Sequence, residues 1–254
     1  MNTEILYAVH AVGEALQAGR RRFFAVYVSE GRVSRRLEKV VELAASLKVP
    51  VQTVNPRLLK SISGTDHHQG IAARVGPYPF ARLPDLFSKP RPVGINPLFL
   101  LLDNVVDPHN LGALVRTAFC VGVDGIIVPA NRSAPPSPAV SKASAGALEH
   151  VFLTQVPNLI NTIRILKEKG LWIAGMDRAG ETSIFDSDLT SPLAIIVGGE
   201  EKGIRPLVKK HCDFLVSIPQ AGTIDSLNVS VAGAVALYEA FRQRESIRKK
   251  EPAA

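Results

Sequence analysis

The chain is poor in cysteine. Cys120 and Cys212 are the only two among 254 residues. Neither has a Cys or His neighbour at a zinc-binding spacing, and one pair makes no disulfide framework. A reducing compartment is expected, with both cysteines acting as small buried apolar residues. Long apolar runs are missing too: no uncharged stretch reaches the ~18 residues of a membrane-spanning helix. The opening Met1-Asn2-Thr3-Glu4-Ile5 lacks the basic-then-apolar order of a signal peptide. The expectation is a cytoplasmic protein with no membrane partner.

Several catalytic signatures are also absent. No Gly-x-Gly-x-x-Gly follows a strand pattern and no Gly-Lys-Ser/Thr closes a P-loop. His-Glu-x-x-His and the Gly-x-Ser-x-Gly nucleophile elbow do not occur. The six histidines are scattered apart from His67-His68, so no metal site is expected. The usual dinucleotide fold, P-loop nucleotide hydrolysis, zinc proteolysis and serine hydrolysis are thereby left without support.

What is present is an ordinary globular composition, 46% hydrophobic and 21% charged, with room for one large domain or two small ones. The net charge of +7 is unevenly placed. Residues 1–97 hold 14 Lys and Arg against 7 Asp and Glu, while residues 98–254 hold 16 of each. The basic excess therefore lies in the first third, which points to an anionic partner, nucleic acid first. Arg20-Arg21-Arg22, Arg32, Arg35 and Arg36 stand near the strand ends of that region.

Periodicity divides the chain. Residues 5–18 read as a helix, 23–28 as a strand, 35–47 as an amphipathic helix, and 51–54 and 71–75 as strands, with a Pro-opened helix at 56–62 between them. These make a small α/β domain over residues 1–75. Six prolines between 76 and 97 (Pro77, Pro79, Pro84, Pro90, Pro92 and Pro97) prevent a continuous helix or central strand, so this stretch reads as a semi-extended linker. From Leu98 to about residue 245, strands (98–102, 125–129, 151–156, 171–175, 193–197, 214–218) alternate with helices. That is the pattern of a mostly parallel sheet covered by helices. The helix after the first of these strands has a core stripe at 111, 114, 115, 118 and 119, and Asn110 and Arg116 fall off it. A helix of 138–148 and a last, nearly all-apolar helix from Asn228 to Phe241, readable as buried on all sides, complete the domain. Residues 246–254 form a charged tail expected to fray.

Three polar stretches stand at the C-terminal ends of apolar strands, where open α/β sheets bind ligands. They are Asp107-Pro108-His109-Asn110-Leu111-Gly112-Ala113-Leu114-Val115-Arg116, Gly198-Gly199-Glu200-Glu201-Lys202-Gly203, and Ile218-Pro219 leading to Ser226-Leu227-Asn228-Val229-Ser230. Taken singly they are ordinary: Ser226 and Asn228 suit a helix cap, and Arg116 and Glu200 suit a solvated surface. Together they resemble the three motifs of SpoU-type RNA 2′-O-methyltransferases, members of the SPOUT superfamily. His68-Gln69-Gly70-Ile71 and Tyr7-Ala8-Val9-His10-Ala11-Val12 resemble the subgroup acting on a guanosine of large-subunit (23S) ribosomal RNA. Glu201-Lys202 departs from the Gly and acid common in close relatives, though Gly-x-Glu-x-x-Gly is intact.

The resemblance implies S-adenosylmethionine as methyl donor, a C-terminal trefoil knot, and a homodimer with sites near the subunit interface. It places Asn110, Arg116, Glu200, Ser226 and Asn228 in catalysis, and Gly198, Gly199, Ile218 and Leu227 around the cofactor's adenosyl part. A ribose hydroxyl is a weak nucleophile at neutral pH and needs alignment and proton removal. The sulfonium already activates the methyl, so the chemistry needs no metal. A guanidinium ordinarily stays protonated, which suits Arg116 to hold a phosphate or polarise the hydroxyl better than to act as a base. Two other readings remain: a tRNA 2′-O-methyltransferase, and a non-catalytic RNA-binding or ribosome-assembly protein on the same fold. The filling of all five polar motif positions counts against the second of these.

Overall fold

The computed structural model describes residues 2–31, 34–88, 94–222 and 226–250. Arg32, Pro90 and Pro92 lie outside them. The chain forms two compact units, one made of Met1–Pro79 with Pro135–His150, the other of Phe80–Ala134 with Val151–Ala254.

The first unit holds strands β1 (Glu4–Tyr7), β2 (Phe23–Ser29), β3 (Val51–Val54) and β4 (Ile71–Val75), in the sheet order β1-β4-β2-β3. Helices α1 (Val9–Ala18), α2 (Arg35–Ser46) and α3 (Pro56–Ser63) accompany them. Residues 5–7, expected as helix, are strand, because Ala8 takes φ 76° and breaks the chain direction before α1 begins. The apolar faces of α1 and α2 close over the sheet, burying Leu6, Val12, Val26, Ala44, Ile71 and Val75.

The segment Pro135–His150 packs into this unit through helix α5 (Pro138–Ala143) and a 3-10 turn, Ala147–Glu149. The single helix expected there is interrupted by positive φ at Ala145 and Gly146. Gly146 has a physical reason to be glycine: a Cβ there would lie 2.5 Å from the side chain of Glu14 on α1. Glu149 then reaches Arg21, whose side chain is fully buried. The guanidinium donates to both Glu149 carboxylate oxygens (2.7 and 3.2 Å), to Glu4 Oε2 (2.5 Å) and to the Gly76 carbonyl, and lies over the Tyr78 ring. Arg20 donates to the carbonyls of Glu149 and Pro79. Much of the basic run expected to face an anionic partner is therefore used internally.

The second unit carries seven strands: β5 (Leu98–Asp103), β6 (Gly125–Pro129), β7 (Leu153–Val156), β8 (Trp172–Met176), β9 (Thr182–Ser183), β10 (Leu193–Gly198) and β11 (Phe214–Ser217). Their order is β7-β6-β5-β10-β8-β11-β9 and every pairing is parallel. Helices α4 (Pro108–Cys120), α6 (Leu159–Glu168), α7 (Pro206–Lys209) and α8 (Val229–Lys250) cover it. Strands β5, β6 and β10 are apolar residue after residue because both sheet faces are covered; Phe99, Leu101, Ile127, Ala194 and Ile196 are buried at the centre. The Pro-rich stretch adds to this core: a 3-10 turn at Leu83–Leu86 seats Leu86 in the cluster that contains Phe99.

α8 continues well past Phe241 to Lys250, so residues 246–250 of the tail expected to fray are helical, and residues 251–254 lie outside the described residues. Glu239–Arg242 and Glu245–Arg248 pair at i,i+3 along it. Nor is α8 buried all round: Val231, Tyr238 and Phe241 are exposed on one face. Cys120 is likewise exposed rather than buried. Among the described residues no helix is long and apolar enough to cross a membrane.

Candidate active site

β5 and β10 run side by side in register, Asp103 opposite Gly198, so the loops leaving them start as neighbours. After β5, the Asp107 side chain accepts from His109 N and caps α4, and Pro108 takes the first helical turn. This turns Asn110 inward; it is 8% exposed although it falls outside the apolar stripe. Its burial is offset by hydrogen bonding. Asn110 Nδ2 donates to Glu200 Oε1 at 2.7 Å, and Asn228 Nδ2 donates to the same oxygen at 2.6 Å. Asn228 Nδ2 also lies 3.1 Å from Asn110 Oδ1. One residue from each motif thus meets in a single closed triangle.

Asn228 has a second task. Its Oδ1 accepts from Ser230 N (2.9 Å), Val231 N (3.4 Å) and Ser230 Oγ (2.6 Å), which makes it the N-cap of α8. Cap and cluster member are one side chain, with the amide nitrogen facing one way and the oxygen the other. Ser226 is exposed and caps no helix among the described residues.

The loop carrying Glu200 is fixed at both ends by β5. Gly199 N donates to the Asp103 carbonyl, and the buried Asp103 carboxylate accepts from Arg205 N (2.9 Å) and Arg205 Nε (2.7 Å). Gly203 N returns to the Gly199 carbonyl. A Cβ on Gly198 would fall 2.0 Å from the backbone of Gly203, and one on Gly199 would fall 2.1 Å from the Asn104 carbonyl oxygen. Gly198 and Gly199 let the chain approach itself, and the loop that results shapes the cleft they line.

Arg116 stands apart. It is exposed on α4 and makes no hydrogen bond or ion pair with any described residue. Glu200 orients Asn110, not Arg116. The residues that sequence reasoning passed over are Asp103, Arg205 and Ser230. Asp103 had a legible signal, a carboxylate closing a five-residue apolar run, since a buried charge needs a partner.

Gly198, Gly199, Ile218 and Leu227 all line one cleft of about 460 Å³ at these strand ends, together with Glu200 and Ser226. Val197, Val216, Val229 and Ala232 add apolar wall, and Asp177 and Lys209 add charge. An apolar wall with polar groups at its edges fits a flat base joined to a polar chain, as in S-adenosylmethionine.

A parallel α/β sheet with its polar cluster and cleft at the strand ends defines an enzyme of the open α/β class, binding a small ligand in the strand-end crevice. The profile of the SpoU rRNA Methylase family matches residues 97–238, and that of RNA 2′-O ribose methyltransferase substrate binding matches residues 5–81. The chain belongs to the SpoU rRNA methylase family. It is 44% identical over 246 residues to the 23S rRNA (guanosine-2′-O-)-methyltransferase RlmB of Pseudomonas putida, covering 95% of this chain and 97% of that protein. It is 39% identical over 238 residues to a putative TrmH family tRNA/rRNA methyltransferase, YacO, of Bacillus subtilis, covering 94% and 95%. Among solved structures it resembles the SpoU methyltransferase AviRb of Streptomyces viridochromogenes in complex with AdoMet. The TM-score is 0.80 at 26% identity, over 95% of this chain and 90% of that one.

Proposed function

We propose that this chain is an S-adenosylmethionine-dependent methyltransferase acting on the 2′-hydroxyl of a guanosine ribose in 23S ribosomal RNA, in the cytoplasm. The observation that carries the proposal is the Asn110–Glu200–Asn228 triangle, in which three separate motifs converge beside one cleft. Likeness to RlmB proteins along nearly the whole chain supports the substrate class.

When bound, S-adenosylmethionine supplies a methyl group on a sulfonium, already activated for attack. Gly198, Gly199, Ile218 and Leu227 hold its adenosyl part. Arg116, exposed and unpaired among the described residues, offers a planar two-pronged donor to an RNA phosphate and to the ribose hydroxyl. Glu200 keeps both asparagine amides in fixed orientation, and Ser226 contacts the ribose at the cleft's edge. Fixing the hydroxyl against the methyl is the main contribution this scaffold makes.

The homodimer belongs to the same proposal. Phe119 on α4 and Val231, Tyr238 and Phe241 on α8 are large apolar side chains left exposed on two helices that pack together. A second copy would cover them; Val231 lies in the first turn of α8 beside Asn228, and Phe119, Tyr238 and Phe241 lie farther along the two helices. The trefoil knot is also part of this reading, supported by the insertion of β10 between β5 and β8.

The test is a map of 2′-O-methyl positions in rRNA and tRNA from cells with and without this gene. Loss of one guanosine methylation in 23S rRNA is the expected result. Loss of a tRNA methylation would transfer the assignment to tRNA, and an unchanged map would leave the non-catalytic reading.

A further inference from the structure

The cleft has a charged end that the proposed chemistry leaves without a task. Asp177 follows β8, and β8 lies between β10 and β11 in the sheet. Asp177 is therefore placed laterally between Gly198 at the end of β10 and Ile218 just after β11. All three line the cleft. Its backbone is pinned, because Asp177 N donates to the Val216 carbonyl and Gly180 N donates back to the Asp177 carbonyl. Its side chain is 11% exposed and ion-paired with Lys209, while Oδ1 accepts from Ala179 N at 2.9 Å. Burial pushes this carboxyl up, but the Lys209 and Ala179 hydrogen bonds and the Lys209 and Arg178 charges outweigh it and hold it below the usual range. It is a fixed carboxylate with lone pairs to spare, facing a cleft.

We infer that Asp177 accepts hydrogen bonds from the ribose hydroxyls of the cofactor's adenosyl part, resting on the cofactor assignment above. Three groups of an S-adenosylmethionine molecule carry donors that could meet a carboxylate, the adenine 6-amino group, the ribose diol and the α-ammonium, and only the diol offers two adjacent hydroxyls to one carboxylate. Local charge favours the diol. Lys209 already neutralises Asp177, so an ammonium there would face the Lys209 cation across a carboxylate whose charge is already compensated. Neutral hydroxyls meet no such repulsion, and a carboxylate at a strand end is a well-suited ribose acceptor.

Calorimetry on the full-length protein tests this without relying on turnover. The probes are S-adenosylhomocysteine, its 2′-deoxy and 3′-deoxy analogues, and 5′-methylthioadenosine, which keeps the diol but lacks the amino-acid arm. Asp177→Ala should weaken S-adenosylhomocysteine and methylthioadenosine alike by about 10-fold or more, the range for a hydrogen bond to a charged group. At least one deoxy analogue should bind Asp177→Ala and wild type equally. Lys209→Met leaves the carboxylate in place and should keep the preference for the diol, which guards against a loss caused only by collapse of the cleft. A loss that persists in full with both deoxy analogues, that vanishes with methylthioadenosine, or that never occurs would overturn the inference while leaving the cofactor assignment standing. Failure of the wild type to bind S-adenosylhomocysteine would overturn both.

Discussion

Arg21 stands inside the run Arg20-Arg21-Arg22 and Arg116 alone between Val115 and Thr117, and the fold uses the two in opposite ways. Arg21 lies in the run that accounts for part of the basic excess, and its guanidinium is buried against Glu149 and Glu4. Arg116 lies in a region of balanced charge, on an exposed helix face, with no partner among the described residues. Net charge locates a basic region; it does not say which cations are free. A guanidinium with its donors satisfied inside the protein has little left for RNA, and one with none satisfied is ready for a substrate.

That contrast can be broken at four points. The largest effect is expected at Arg21. Arg21→Ala strands Glu149 as a buried, unpaired carboxylate, and urea unfolding should show a loss of about 3–5 kcal/mol. RNA affinity per folded molecule should not change, as followed by fluorescence anisotropy with an rRNA fragment. A folded, stable variant with weakened RNA binding would reverse the roles assigned to the two arginines.

Arg116→Ala should do the converse. Stability should stay within about ±0.5 kcal/mol, cofactor affinity should hold, and methyl transfer should fall by about 10²-fold or more. Single-turnover assays at saturating RNA keep weakened binding from passing as slowed chemistry. Arg116→Lys refines the result: rescue would indicate simple charge, and no rescue a need for the planar fork. Wild-type single-turnover rates in Arg116→Ala would return this residue to the solvated surface.

Gly198→Val is expected to displace the whole loop, because the added side chain meets the backbone of Gly203 and Ile204. Cofactor binding should vanish together with a stability loss of about 1–3 kcal/mol. Lost binding with wild-type thermal stability would mean that the glycine faces the ligand instead. Asn228→Ala should cost about 1 kcal/mol for a missing helix cap, joined to a drop in turnover as Asn110 and Glu200 lose their common partner. Asn228→Ser keeps a capping oxygen and removes the amide donor, so it should restore stability without restoring rate.

The strands were legible where burial on both faces made them apolar throughout, as in Leu98–Asp103 and Leu193–Gly198. Glu4–Tyr7 was not, since Ile5 and Leu6 continue into the apolar pattern of α1 and only the backbone turn at Ala8 separates them. Nothing in composition could show that Pro135–His150 completes the core of the first unit. That depends on Gly146 lying against α1 and on Glu149 meeting Arg21, both long-range facts. A fragment beginning at Pro97 would strip Gly146 and Glu149 of these partners.

At the candidate site the motif spacing supplied the residues but not their connections. Asn110 departs from its helix's apolar stripe, so periodicity leaves it at the surface; the Glu200 carboxylate is what makes its burial tolerable. Asp103 and Arg205 act through the loop backbone, which no spacing rule reads. Burial also separates the two cysteines, pushing the Cys212 thiol up to about 11 while Cys120 lies exposed.

Methyl transfer to RNA in vitro tests the central claim most directly. Purified protein, labelled S-adenosylmethionine and a 23S rRNA transcript should yield label at one guanosine, with the linkage 3′ to it resistant to alkali, because a methylated 2′-oxygen cannot attack the neighbouring phosphate. Label on a base, label entering tRNA instead, or no transfer by a protein that binds both substrates would contradict it.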